Sequence, residues 1–127
     1  MQQAERDNDQ LGIILDYCQR MDRAFEHFGD DYQLFEKSEP FQDACSLCLI
    51  QVGEAVNRLS DDFKQGNPHI DWKSIYGMRC RLVHGYDNFD AEIAWDAIKN
   101  YLPSLRSFCE ERYQSDYESQ HSASAAE

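Results

Sequence analysis

The sequence predicts an all-α fold, an antiparallel helical bundle, and three observations predict it. Apolar residues recur at spacings of three and four through most of the chain, the period of a helix with one buried stripe. No segment shows the strict apolar–polar alternation of a half-buried strand. The breaks between periodic segments are short and carry Gly, Pro, Asp and Asn, so neighbouring helices should pack back on one another. At 127 residues and 42% hydrophobic content, the chain can close a single core without staples.

The first stripe is Leu11, Ile14, Leu15, Cys18, Met21, Phe25 and Phe28. Asp7 to Asp9 read as its capping residues and Gly29 as its end. A short connection containing "DDYQLFEKSEP" leads to a second long helix from about Pro40, with the stripe Phe41, Ala44, Cys45, Cys48, Leu49, Val52, Val56 and Leu59. Leu47 and Ile50 lie off that stripe, so this helix should be buried on more than one side. "SDDFKQGNPHIDW" then supplies one short helical turn and a loop marked by Gly66, Asn67 and Pro68.

A third long helix is expected from Asp71, its N-cap, to His84, with Gly85 placed for a left-handed C-terminal cap. The last begins near Asp90 and carries Trp95, Ile98, Leu102, Leu105 and Cys109. Pro103 falls inside it and should kink it by removing a backbone donor. The helical domain therefore covers 1–113, and 114–127, "QSDYESQHSASAAE", is a polar, unpatterned tail expected to be flexible.

Composition narrows the function classes. No apolar run reaches the roughly 20 residues of a membrane span, and "MQQAERDNDQ" lacks a signal peptide's apolar core, so a cytoplasmic protein is expected, with no membrane partner. Cys18, Cys45, Cys48, Cys80 and Cys109 form no regular framework and read as reduced thiols. "CSLC", Cys45 to Cys48, has the spacing of half a zinc site. Nothing completes it, and both cysteines fall on an apolar stripe where a free thiol packs as a small hydrophobe. No metal site and no cofactor are expected. A net charge of −12 argues against a general nucleic-acid surface, leaving only a local basic pocket or a basic protein partner.

Two segments depart from that charge, and one of them, Ala97 to Cys109, reads as the interior of an apolar helix. Between Asp71 and Asp87, Trp72 to Tyr86 contains no acid although the chain holds 24. Within it, "GMRCRLVHGY" brings together Arg79, Arg81, His84 and Tyr86. A histidine titrates near neutral pH and moves protons, while a guanidinium fork holds phosphate oxygens. Together they suit phosphodiester cleavage, His84 as general acid or base and an arginine stabilising charge. Spacing alone does not decide this. "RMDRAFEH", Arg20 to His27, offers a similar pair, and Arg81 and His84 also suit the dipole of a helix's last turn.

The wider strings "GEAVNRLSDDFK" and "WKSIYGMRCRLVHGYDNFDAEIAWDAIKNYLPSL" resemble the HepT-like branch of the HEPN superfamily, across roughly Leu11 to Arg112. The resemblance implies an all-α homodimer whose paired motifs line a cleft at the interface. It implies a metal-independent endoribonuclease that cuts RNA as the toxin of a toxin–antitoxin pair, beside a minimal nucleotidyltransferase (MNT) antitoxin. By position, it implies that Arg79 and His84 are the catalytic pair and that Tyr86 is the residue the antitoxin adenylylates. Arg20 and His27 match nothing in that pattern.

Arg81 is a further candidate phosphate contact and Glu54 a candidate cleft residue, although Glu54 and Arg58, four apart, also suit a simple pair along a helix. The family commonly places Asn, Asp or His directly after the motif arginine, and here that residue is Cys80, a much weaker hydrogen-bonding group. The alternative is therefore a non-catalytic helical dimer that binds and regulates a nucleotidyltransferase. Trp72 and Tyr76, four apart, are expected to pack together in the core.

Overall fold

The computed structural model describes residues 2–84 and 89–114. Among them every regular element is helical: α1 (Gln3–Phe28), α2 (Tyr32–Lys37), α3 (Glu39–Arg58), α4 (Asp61–Gln65), α5 (Trp72–His84), α6 (Ala91–Asp96), a π-helical turn (Ala97–Tyr101) and α7 (Leu102–Arg112). None of them is long and apolar enough to cross a membrane.

Contacts fix the antiparallel arrangement. Phe28 near the end of α1 stacks on Phe41 near the start of α3, with ring centroids 4.9 Å apart, while Asp7 near the start of α1 meets Ser60 just past α3. Likewise Lys99 pairs with Asp30, Arg106 with Asp22, and Gln114 with Asn8, so α7 runs back along α1. The core lies between these helices, where Ile14, Leu49, Val52, Ile75, Met78 and Leu105 are all but sealed from solvent.

The element starts and stops follow local chemistry. Ser38 caps α3 by accepting from the Phe41 N–H, with Pro40 in the first turn where its missing donor is harmless. Ser60 caps α4 in the same way through the Phe63 N–H. Asp71 accepts from the Ser74 N–H and hydroxyl at the start of α5, which lowers the Asp71 carboxyl below its ordinary value. Gly29 ends α1 at φ +104°, a conformation L side chains rarely adopt.

Three details differ from the sequence expectation. α1 begins at Gln3, so Asp7 lies inside it, buried rather than capping it. Its carboxylate instead accepts from the Ser60 N–H and hydroxyl, both at 2.8 Å, pinning the α3–α4 junction. The connection after Gly29 contains a helix, α2, capped by Asp31 and anchored by the sealed Phe35 ring. Finally, Pro103 supplies no N–H to the turn before it, and the backbone there widens. The Leu102 N–H reaches the Ala97 carbonyl five residues back, and α7 then continues.

Past α7 the chain is tied back to α1. Asn8 donates to the Gln114 carbonyl and accepts from its N–H, both at 2.9 Å, so the chain is clasped at Gln114. Residues 115–127, the rest of the expected tail, lie outside the described residues, as does Gly85, the expected cap of α5.

Candidate active site

Where α3 crosses α5, the two backbones come unusually close. Gly53 permits it: a Cβ there would overlap the Cβ of Arg79 and lie 2.8 Å from its Cγ. The next residue, Glu54, then reaches across the crossing, and its Oε1 pairs with Arg79 Nε. The Arg79 and Glu54 side chains keep 21% and 25% of their exposure, so the pair is partly screened but open on one side. Arg58, one turn along α3, touches the same carboxylate only at 4.0 Å. Glu54 thus serves mainly Arg79, and the helical pair with Arg58 is its secondary contact.

The other edge of the guanidinium faces α5 itself. Arg79 Nη1 donates to Cys80 Sγ at 3.9 Å, and the charge sits 5.6 Å from the centre of the Tyr76 ring. Burial works against the Arg79 charge, but the Cys80 sulfur, Glu54 and Tyr76 outweigh it and hold the guanidinium above its ordinary value. The Tyr76 hydroxyl is also raised, chiefly by its hydrogen bond to the Cys80 side chain. Glu54, Tyr76, Arg79 and Cys80 therefore form one cluster, with a cation fixed at Nε and its Nη edge turned toward softer groups.

Tyr76 is the member that sequence reasoning missed. Trp72, its expected partner, turns instead to Phe63 and Phe108, and its indole N–H bonds the Lys64 and Asn67 carbonyls. The signal was available: Tyr76, Arg79 and Cys80 are three and four apart and share a helix face.

His84 and Arg81 are exposed on the last turns of α5. Five residues separate Arg79 from His84, about 7.5 Å along the axis and about 140° around it. Arg79 turns toward Glu54 on α3, and His84, about 140° further around the axis, is exposed at the end of α5. Tyr86 lies outside the described residues.

Among the described residues, other candidate polar and thiol groups are engaged or buried. A groove of about 520 Å³ opens between α1 and the Pro103 region, but its cations Lys99 and Arg106 are already paired with Asp30 and Asp22. Cys45 and Cys48 are free and buried, as the packing reading requires. Burial pushes Cys45 and Cys109 up to about 12 and Cys18 to about 11. Among the described residues, no three His, Cys, Asp or Glu side chains are grouped as metal ligands. Arg20 pairs with Asp16 and His27 packs on Phe28, so neither forms a second site.

Fold and site define a small helical-bundle protein with a basic segment on one helix and a held arginine within it. The chain belongs to the Ribonuclease HepT-like family, whose sequence profile matches residues 14–112. It is 30% identical over 99 residues to a Methanocaldococcus jannaschii protein named "Putative RNase MJ0125", covering 77% of this chain and 85% of that one. A Caldanaerobacter subterraneus protein, "Putative RNase TTE0752", is 31% identical over 88 residues, 69% of this chain and 79% of that one. "Probable ribonuclease HepT" of Thermococcus cleftensis is 35% identical over 65 residues, 51% of this chain and 59% of that one. No solved structure matches the chain at a significant level. Membership of the HepT-like family, expected from the motif and its surroundings, is thereby borne out.

Proposed function

We propose that this chain is a metal-independent endoribonuclease toxin of the cytoplasm, active as a homodimer and neutralised by an MNT antitoxin that adenylylates Tyr86. The Arg79 side chain carries this. A structural arginine would spend both edges of its fork on internal partners, whereas here Glu54 takes Nε and only a weak thiol acceptor faces Nη1. That leaves a planar donor edge for phosphate oxygens. In the reaction, the ribose 2′-oxygen bonds to the adjacent phosphorus as the bond to the 5′-oxygen breaks. His84 takes the 2′-proton or returns one to the leaving oxygen, and Arg79 offsets charge on the non-bridging oxygens.

A dimer answers the divergence of Arg79 and His84 by letting two copies of α5 frame one cleft. On α3, Leu47 is 53% exposed and Ile50 half-buried, on the same face as Glu54. This is the second apolar side anticipated for that helix, and a second copy would cover it. A light-scattering mass equal to one chain at micromolar concentration would remove the composite cleft.

Expression of the chain alone should arrest growth, and His84→Ala or Arg79→Ala should each relieve the arrest with helical content unchanged, whereas His27→Ala should not. RNA cleavage should survive chelators. Adenylylation joins the Tyr86 oxygen to the α-phosphorus of ATP with release of pyrophosphate, adding bulk and charge where substrate must sit. Coexpression with the neighbouring nucleotidyltransferase, followed by intact mass and peptide mapping, tests it. An adenylyl group elsewhere, or none while arrest is still relieved, removes Tyr86 from the mechanism.

Cys80 favours one other reading, a non-catalytic dimer that regulates the nucleotidyltransferase, because a thiol cannot orient water or substrate as an amide does. Tight binding of that partner with no growth arrest and no RNA cleavage would establish it.

A further inference from the structure

Two residues on the exposed face of α5 work against the helix that carries them. Lys73 stands in the first turn, where the helix dipole disfavours a cation and where the one acid is the capping Asp71, already engaged by Ser74. Gly77 stands in mid-helix, where glycine is among the poorest formers. At Gly53, close packing explains the glycine. At Gly77 it does not, because a Cβ there would meet nothing within 4 Å among the described residues. Lys73 likewise has no ion-pair partner among the described residues, in a chain with twice as many acids as Lys and Arg together.

Lys73, Gly77 and Arg81 follow one another at intervals of four, so they form a single stripe. Lys73 and Arg81 are exposed and stand about 12 Å apart along the axis, with Gly77 as a notch between them. His84, three residues past Arg81, continues the stripe at its C-terminal end. A residue that weakens its own helix without an internal reason points to something outside the protomer approaching closely there. Two kinds of visitor fit a glycine notch, a second copy of α5 or an extended ligand backbone. Crossing two copies at Gly77 sets like charges together in either direction: Lys73 on Arg81 if antiparallel, Lys73 on Lys73 if parallel. A polyanionic strand gains from both cations instead.

We propose that a single strand of RNA crosses α5 at Gly77, its sugar–phosphate backbone lying in the notch with Lys73 and Arg81 holding phosphates on either side. Lys73 is then a remote anchor that leads the strand to His84. This rests on the ribonuclease reading above and adds the path of the substrate to it.

The test uses the full chain carrying His84→Ala, so that RNA is bound without being cut, and a fluorescein-labelled single-stranded RNA of mixed sequence. Anisotropy titrations are run at several salt concentrations. One lost phosphate contact should flatten the slope of log affinity against log salt by about 0.7 and weaken binding about fivefold at 0.1 M monovalent salt. Lys73→Ala should show both changes, and Lys37→Ala, an exposed lysine on α2, neither. Gly77→Ala should raise the Tm and yet weaken RNA binding. If Lys73→Ala and Gly77→Ala bind as the parent does, the crossing is wrong while the ribonuclease reading stands. If Gly77→Ala lowers the Tm or converts a dimer to monomer, the notch holds protein rather than RNA, and the crossing is overturned. A parent that binds no RNA at any salt overturns both together.

Discussion

Replacing Gly53 by alanine tests the architecture of the site directly. The new methyl would fall on the Cβ and Cγ of Arg79, with the Arg79 Cα only 3.6 Å away. These atoms are tied to the α5 backbone and cannot swing aside like the end of a long side chain. Carbon atoms rest about 3.5–4.0 Å apart, so the helices must separate by on the order of 1 Å. Such overpacking costs about 1–3 kcal/mol, against a helix-propensity gain of about 1 kcal/mol for Gly→Ala. The balance is a net loss of about 1 kcal/mol, and for a domain of this size that lowers the Tm by roughly 3–5 °C. Separation also draws Glu54 away from Arg79 Nε, so RNA cleavage should fall further than the lost stability explains. Thermal unfolding followed by far-ultraviolet circular dichroism reads the first effect and a single-turnover cleavage assay the second. A Tm equal to or above that of the parent refutes the close crossing and the grip on Arg79 that depends on it.

The thiols should react in two classes. Iodoacetamide at pH 8 should modify Cys80 quickly and the four buried cysteines only on unfolding, read by mass spectrometry. The same burial makes stability fall with alkali. Cys45, Cys109 and Cys18 hold their protons to about 12, 12 and 11 when folded, against 9.0 for an exposed thiol. Their contribution is complete below pH 9 and is lost from pH 9 up to those values, by at most about 1.4 kcal/mol per thiol per pH unit. A urea midpoint unchanged between pH 8 and pH 10.5 would contradict it. Asp7→Ala should cost about 1–3 kcal/mol, because the Ser60 N–H is left without its partner at a part-buried junction, and a urea midpoint matching the parent's would count against that role. Cys80→Asn should keep or raise RNA cleavage, since an amide can orient substrate or water as a thiol cannot. A sharp fall would give the thiol a role of its own.

Most of the fold was legible because the signals were local. Gly29, the Ser60 turn, Asp71 and Asp90 each act within a few residues of themselves. Misreadings arose where the deciding partner was far away in sequence. Asp7 looked like a cap because its true partner, Ser60, is 53 residues downstream. α2 was hidden because six residues with one sealed ring make too short a stripe to show a period. The turn before Pro103 could be foreseen as a disturbance but not as a π-turn, since a kink and a widened turn are both answers to one missing donor.

The site divides in the same way, and the division bears on why α5 is free of acids. Helix positions three or four residues from Arg79 are Ile75, Tyr76, Leu82 and Val83. A carboxylate at any of them would lie along the helix surface and take the terminal nitrogens of the guanidinium. Among the described residues, the acid that reaches Arg79 arrives from α3, and it meets Nε because Gly53 lets that helix close. What separates a held arginine from a quenched one is therefore the edge that is occupied, rather than the charge nearby. An acid-free window on α5 and an acid on α3 are two parts of one requirement. Only the first can be seen by reading along the chain, because the second depends on a crossing between Gly53 and Arg79, 26 positions apart in sequence.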